Sequence, residues 1–181
     1  MKNTVLKKRI AALALCLLCF SNTALMTACQ KGGDANKDSA VTDENKTPAT
    51  LESVYEAVSA AIPNADTLID AQESYLSGFF GGAVPDDFAS YKIVMQSMST
   101  SIDNVGIFEA KTAGDVKKIE EMVDTYLDFY ENDVWDDTYL EDEFPKLKNA
   151  QRVTSGNFVM YVILDDDARA AAITAFENAT K

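Results

Sequence analysis

The sequence predicts an α+β domain, a four-stranded antiparallel sheet with helices packed against it, preceded by a signal peptide and a disordered tether. Two observations predict the sheet. Tyr91 to Met98 and Val105 to Lys111 are runs of strand formers separated by the polar stretch Ser99 to Asn104, and Arg152 to Thr154, Ser155-Gly156 and Phe158 to Leu164 read as a hairpin. A third observation predicts the helical layer. Val116, Ile119, Met122, Val123, Tyr126, Leu127 and Tyr130 recur at three- and four-residue spacing for more than four turns.

The chain opens with Lys2, Lys7, Lys8 and Arg9 and continues as an unbroken apolar run from Ile10 to Phe20. A basic start followed by a short apolar run is the pattern of a secretory signal. A spanning helix needs about 20 apolar residues, and Ser21, Asn22 and Thr23 interrupt the run well before that. Met26-Thr27-Ala28-Cys29 resembles the lipobox of bacterial lipoproteins, although Met26 stands where leucine is usual. That resemblance implies cleavage after residue 28 and diacylglycerol on Cys29. Each buried CH₂ contributes about 0.8 kcal/mol, so two acyl chains such as palmitate hold a protein at a bilayer where one is marginal. Cys16 and Cys19 fall in the signal, which leaves no thiol for a disulfide after processing.

Residues 29–50 are read as the lipidated cysteine and a flexible tether, because Gly, Asp, Asn, Lys, Ser, Thr and Glu dominate it and apolar residues are nearly absent. Residues 51–181 are read as one domain, since no second tether interrupts them. Four of the 16 basic residues lie in the signal, so 12 remain against 29 acids, a net −17 with no histidine. Such a chain gains nothing from nucleic acid by counterion release and is repelled by anionic headgroups. Membrane attachment is therefore expected through the lipid alone.

Within the domain, Leu51, Val54, Tyr55, Val58 and Ile62 form one stripe of a helix that Thr50 can cap and Pro63 must stop. Ala71 to Phe80 reads as a second helix ending at Gly81-Gly82. Thr112 to Asp115 resembles a capping box for the long helix, and Pro145 limits any continuation, leaving Asp133 to Lys148 as broken or short helical turns. Phe158 to Leu164 is apolar on both faces and should be a central strand. Asp165 to Asp167 complement the dipole of a last helix, with Ala172, Ile173, Phe176 and Ala179 facing inward.

The lipobox and tether, followed by Val105 to Lys111, the long helix from Asp115, and Ser155 to Ile163 leading into Asp165-Asp166, resemble an uncharacterised family of Gram-positive lipoproteins catalogued as a domain of unknown function. The resemblance implies fold and localisation. It implies no activity, ligand or catalytic residue.

With no histidine and Cys29 acylated, Ser-His and Cys-His nucleophiles and nearly every zinc site are excluded. Ser-Lys chemistry could draw on Lys92, Lys111, Lys117, Lys118, Lys146 or Lys148, but no Ser-x-x-Lys motif or nucleophile elbow occurs. Phosphate-cradling glycine motifs are absent too, and no cofactor is expected. The densest acidic stretch, Glu131 to Glu143, puts seven carboxylates among thirteen residues. Asp133, Asp136, Asp137 and Glu141 are its calcium candidates, set against a solvated and mutually repelling surface, since the spacing is not that of an EF-hand loop. Trp135 and Tyr139, with Tyr130 and Phe144, are candidates for an aromatic platform that would take a sugar or a cation, against ordinary core packing.

The functional expectation is a non-enzymatic binding or interaction module, lipid-anchored on the extracytoplasmic face of the cell membrane, with an envelope protein or small ligand as partner. The alternative is a carboxylate-dependent hydrolase of envelope glycans. That reading requires two carboxyls at glycosidase separation in a concave cleft.

Overall fold

The computed structural model describes residues 48–97, 101–134 and 140–181. The signal, Cys29 and most of the tether lie outside the described residues, as do Trp135, Asp136, Asp137 and Tyr139.

Helix α1 (Leu51–Ala61) starts where expected. The Thr50 side chain accepts from the Ser53 N–H and the Ser53 hydroxyl accepts from the Thr50 N–H, a reciprocal cap. Five strands follow, not four: β1 (Leu68–Asp70), β2 (Ser90–Gln96), β3 (Asn104–Glu109), β4 (Gln151–Ser155) and β5 (Phe158–Ile163). They form one antiparallel sheet in the order β1-β2-β3-β5-β4. The expected count of four missed β1. Its three residues are too few to show a period, and what makes them a strand is tertiary: backbone pairing with β2, partial burial of Leu68, and a Lys92–Asp70 ion pair of 2.6 Å. Strand β5 is internal, as its all-buried sequence requires.

Helix α2 (Glu73–Phe79) begins later than its sequence pattern suggests, because the Ala71 N–H still bonds to the Ile93 carbonyl and keeps the chain in the sheet. Gly81 and Gly82 then turn it with φ of 66° and 83°, a region that side chains disfavour. Helix α3 (Val116–Phe129) carries the long apolar stripe and runs into a π-helical turn, Tyr130–Val134. The capping box expected at its start is not formed. The Thr112 hydroxyl instead donates to the Asp115 carboxylate (2.6 Å), which Lys118 also holds. Pro145 sits in the first turn of α4 (Phe144–Lys148), where a missing N–H costs nothing, so it starts this short helix rather than stopping one. Helix α5 (Asp166–Ala179) closes the chain with Ala172 and Phe176 buried.

The sheet's alternation divides the interior into two cores. Ile93, Phe108, Val159, Tyr161 and Ile163 face α2, α3 and α4, while Val94, Val105, Ile107, Met160 and Val162 face α1 and α5. The three-layer arrangement follows, since β3 and β5 are apolar on both sides and both must be covered.

One glycine in the sheet is obligatory. Gly106 pairs with Tyr161 across β3 and β5, and the tyrosine ring lies over it so closely that a Cβ there would come within 2.7 Å of the Tyr161 Cζ. Replacing Gly106 by Ala forces a fully buried ring to move inside a packed core. Urea unfolding should show Gly106→Ala less stable than wild type by about 2–3 kcal/mol. Unchanged stability would mean that the ring is not confined.

Candidate functional site

Of the sequence candidates, Asp133, Glu141, Tyr130 and Phe144 fall among the described residues. Asp133 is exposed in the π turn after α3 and Glu141 is exposed before α4, and among the described residues no group of three or more carboxylates is placed to hold a metal. Tyr130 is buried, and Phe144 packs against the α2/α3 core. Tyr130 belongs to the interior, while Phe144 is half-buried. Tyr130 stacks on Tyr126 at 5.2 Å, whereas the Phe144 ring takes the Lys148 ammonium over its face at 4.7 Å.

Three other arrangements carry polar groups into or beside the core. The first is a hydrogen-bonded set around buried Asn104. Its Nδ2 donates to the hydroxyls of Tyr75 (3.0 Å) and Tyr126 (3.1 Å), its Oδ1 accepts from the Tyr161 hydroxyl (2.8 Å), and the Tyr75 and Tyr126 hydroxyls lie 2.8 Å apart. Burial pushes all three phenols above their ordinary value of 10.0, with neighbouring tyrosines adding to the effect. They therefore act as neutral hydrogen-bonding groups.

The second joins distant segments around Lys146, whose side chain is 10% exposed. Its Nζ lies 2.8 Å from both Asp103 and Glu143, and 3.5 Å from the Ser101 hydroxyl. A serine and a lysine 45 residues apart thus come together without any local motif. The electrostatics nevertheless oppose a Ser-Lys dyad. Burial works to lower Lys146, but the bonds to Asp103 and Glu143 outweigh it and its pKa ends above the ordinary 10.5. A lysine that stays cationic cannot take a proton from serine. Glu143 shows the mirror image: burial works to raise it, and donation from Lys146, Ser101 and the Ile102 N–H brings it below 4.5. The cluster is a structural clasp between the start of β3 and α4.

The third is a groove on the outer side of α3. One part, about 350 Å³, is lined by Asp86, Phe88, Lys111, Asp115, Ile119 and Met122. The adjoining part, about 450 Å³, lies between the Phe79–Ala83 turn and Glu121, Met122 and Thr125, and the two parts share Asp87, Lys118 and Met122. Its floor is apolar and its rim groups bond to one another. Lys118 holds Asp115 at 2.8 Å, Lys111 donates to the Asp86 carbonyl, and Asp87 accepts from the Val84 N–H at 2.9 Å. Hydrogen bonds from Lys118, then Thr112, pull the Asp115 carboxyl below its ordinary value. A general acid needs the opposite shift.

The groove wall and the clasp both fall in one matched stretch. Residues 82–164 match a domain of unknown function (DUF4358). No curated protein and no solved structure matches the chain. The DUF4358 stretch contains β2 to β5, α3 and α4 and omits α1, β1, α2 and α5. One groove wall, the turn after α2, begins just before it. Among the lysines, Lys146 had no sequence signal beyond its i,i+3 spacing from Glu143, and Met122 was indistinguishable from a core residue of the α3 stripe.

Two pH effects follow from these shifts. Glu143 is depressed in the fold, so its stabilisation is present at neutral pH and disappears as pH falls from 4.5 through the lower folded value. Lys146 is raised, so its contribution persists up to 10.5 and is lost only above that. Lys146→Met should cost about 2 kcal/mol at neutral pH, discounted for the partly exposed partners, and should shrink the acid-limb loss, both read by urea unfolding. An unchanged acid limb would show that Glu143 is not tied to Lys146.

The alkaline limb has a separate cause. Above pH 10.0 the unfolded chain ionises Tyr75, Tyr126 and Tyr161 while the fold keeps them protonated, so stability falls by up to about 4 kcal/mol per pH unit for three protons. Phenolate absorbance should rise in two stages, the second coinciding with loss of the circular dichroism of the fold. A single early stage with the fold intact would contradict the buried set.

Proposed function

We propose that this chain is an extracytoplasmic lipoprotein of the Gram-positive kind, anchored by diacylglycerol on Cys29, whose folded domain is a non-enzymatic binding module. The basic start, the short apolar run and Met26-Thr27-Ala28-Cys29 support the address. The α3 groove carries the binding reading: a concave surface with an apolar floor, of the size that ligand sites occupy, whose rim groups bond to one another. The clustered ionisable groups are shifted against catalytic use. Lys146 is held as a cation and Asp115 and Glu143 as carboxylates.

Position adds to this reading. The chain enters the domain at Pro48–Thr50, beside α1 and on the side of the sheet opposite to α2 and α3. A tether attached there leaves the groove unobstructed by its own attachment point.

Labelling growing cells with an alkyne palmitate and fractionating them tests the anchor. Wild type should be labelled and sediment with membranes, and Cys29→Ala should lose the label and leave the membrane fraction. An unlabelled wild-type chain in cytosol would end the lipoprotein reading. The binding half is tested by incubating the full chain with envelope extract and with envelope glycan: a saturably retained component without released sugar is expected, and sugar release abolished by substituting a carboxylate would replace the module with a hydrolase.

A further inference from the structure

The geometry points to a basic amphipathic peptide segment of another protein as the occupant of the α3 groove, a reading that rests on the binding-module proposal and narrows it to one partner chemistry. The floor of the larger part is Phe79, Phe80 and Met122, and one of its walls is α3. Lys118, Met122 and Thr125 recur along that side of the helix, and Phe129, one turn further on, remains 39% exposed. Met122 and Phe129 thus form a sparse apolar line that continues past the end of the groove. This is the surface that receives spaced apolar side chains of an amphipathic segment.

Charge selects the sign of that segment. Residues 48–181 carry nine Lys and Arg against 25 Asp and Glu. Along α3 the distribution is ordered: after Asp115 at the cap position, Lys117 and Lys118 stand at the start, and Glu120, Glu121, Asp124 and Asp128 follow, with Glu131 and Asp133 in the π turn beyond. The first turn contains no acid and the last no base. That order opposes the helix dipole, which favours acids at the start and bases at the end. The pairs Asp115–Lys118 and Lys117–Glu121 offset it in the first turns, and the acids further along have no such helix partner among the described residues. Among the described residues only part of the charge is answered, since Asp124 pairs with Arg152 at 2.7 Å while the ion pair of Glu121 is with the exposed Lys117 at 3.6 Å. Carboxylates and the negative helix end therefore flank the apolar line, complementary to lysine or arginine side chains spaced between apolar ones.

The test uses a synthetic leucine-lysine peptide in amphipathic helical order, titrated against the full chain by calorimetry. A scrambled peptide of the same composition and a leucine-glutamate counterpart serve as controls. Saturable one-to-one binding by the ordered basic peptide alone is expected. Glu121→Lys and Thr125→Lys, both exposed positions whose folding is checked by thermal melting, should each weaken it about ten-fold. Glu56→Lys, the same charge change on exposed α1 across the sheet, should leave it within about two-fold. Equal binding of the scrambled peptide, or equal loss in Glu56→Lys, would reduce the effect to diffuse attraction and overturn the proposal. Preference for the acidic peptide, or no binding by any of the three, overturns it as well. Those results would remove this partner class alone, since retention of an envelope component by the full chain decides the broader reading separately.

Discussion

The hydroxyl pair Tyr75–Tyr126, seated on Asn104, is the constraint on which the rest of the α2/α3 side depends. Asn104 is the first residue of β3, and it receives or gives bonds to residues of α2, α3 and β5. Separating any of these elements would leave a polar atom unpaired in apolar surroundings, at a cost of about 1–3 kcal/mol each. The aromatic packing enforces the same spacing. Phe80 stacks on Tyr126 at 4.2 Å, and Tyr161 lies 5.0 Å from Tyr126 over the gap that Gly106 leaves. Because α2 and α3 are also the walls of the groove, its width is set from beneath by the core rather than by its own rim.

Electrostatics act at the edges of this frame. With nine cations against 25 acids in residues 48–181, a uniform surface distribution would bring only repulsion. Four of the nine instead sit at junctions. Lys92 holds the edge strand β1 to β2, Arg152 ties β4 to Glu120 and Asp124 of α3, and Lys146 clasps α4 to the start of β3. Arg169 reaches back from α5 to the Leu164 carbonyl and to Asp166. The acidic surplus is left for the outer surface, where water and salt screen it.

Legibility in the sequence followed the length and period of each element. The stripe of α3, the all-apolar β5 and the Thr50 cap were readable because each is a local pattern with a single structural meaning. Strand β1 was not, since three residues hold no period and its identity comes from β2. The site was far less legible than the fold. Lys146 meets Asp103 and Ser101 only after the sheet has formed, and Met122 has the spacing of any core residue although it lines the groove. The acidic stretch drew notice through composition, yet its described members Asp133, Glu141 and Asp142 are exposed, and Glu143 is held in the Lys146 clasp.

The DUF4358 match and the physical unit differ in extent, and packing explains why the larger one is the relevant body. Residues 82–164 supply β2 to β5, whose far face presents Val94, Val105, Ile107, Met160 and Val162. In the structure those side chains are buried by Val54, Val58, Ala172 and Phe176 from α1 and α5, which lie outside the match. Without them the sheet would expose a contiguous apolar face, a surface that folded monomers rarely tolerate. The two outer helices also lie against each other, so the first and last of the described elements together close one core while the matched stretch builds most of the other. The groove depends on both parts. Its α3 wall is inside the match, but the Phe79 and Phe80 rings that form its floor come from the end of α2, just ahead of it.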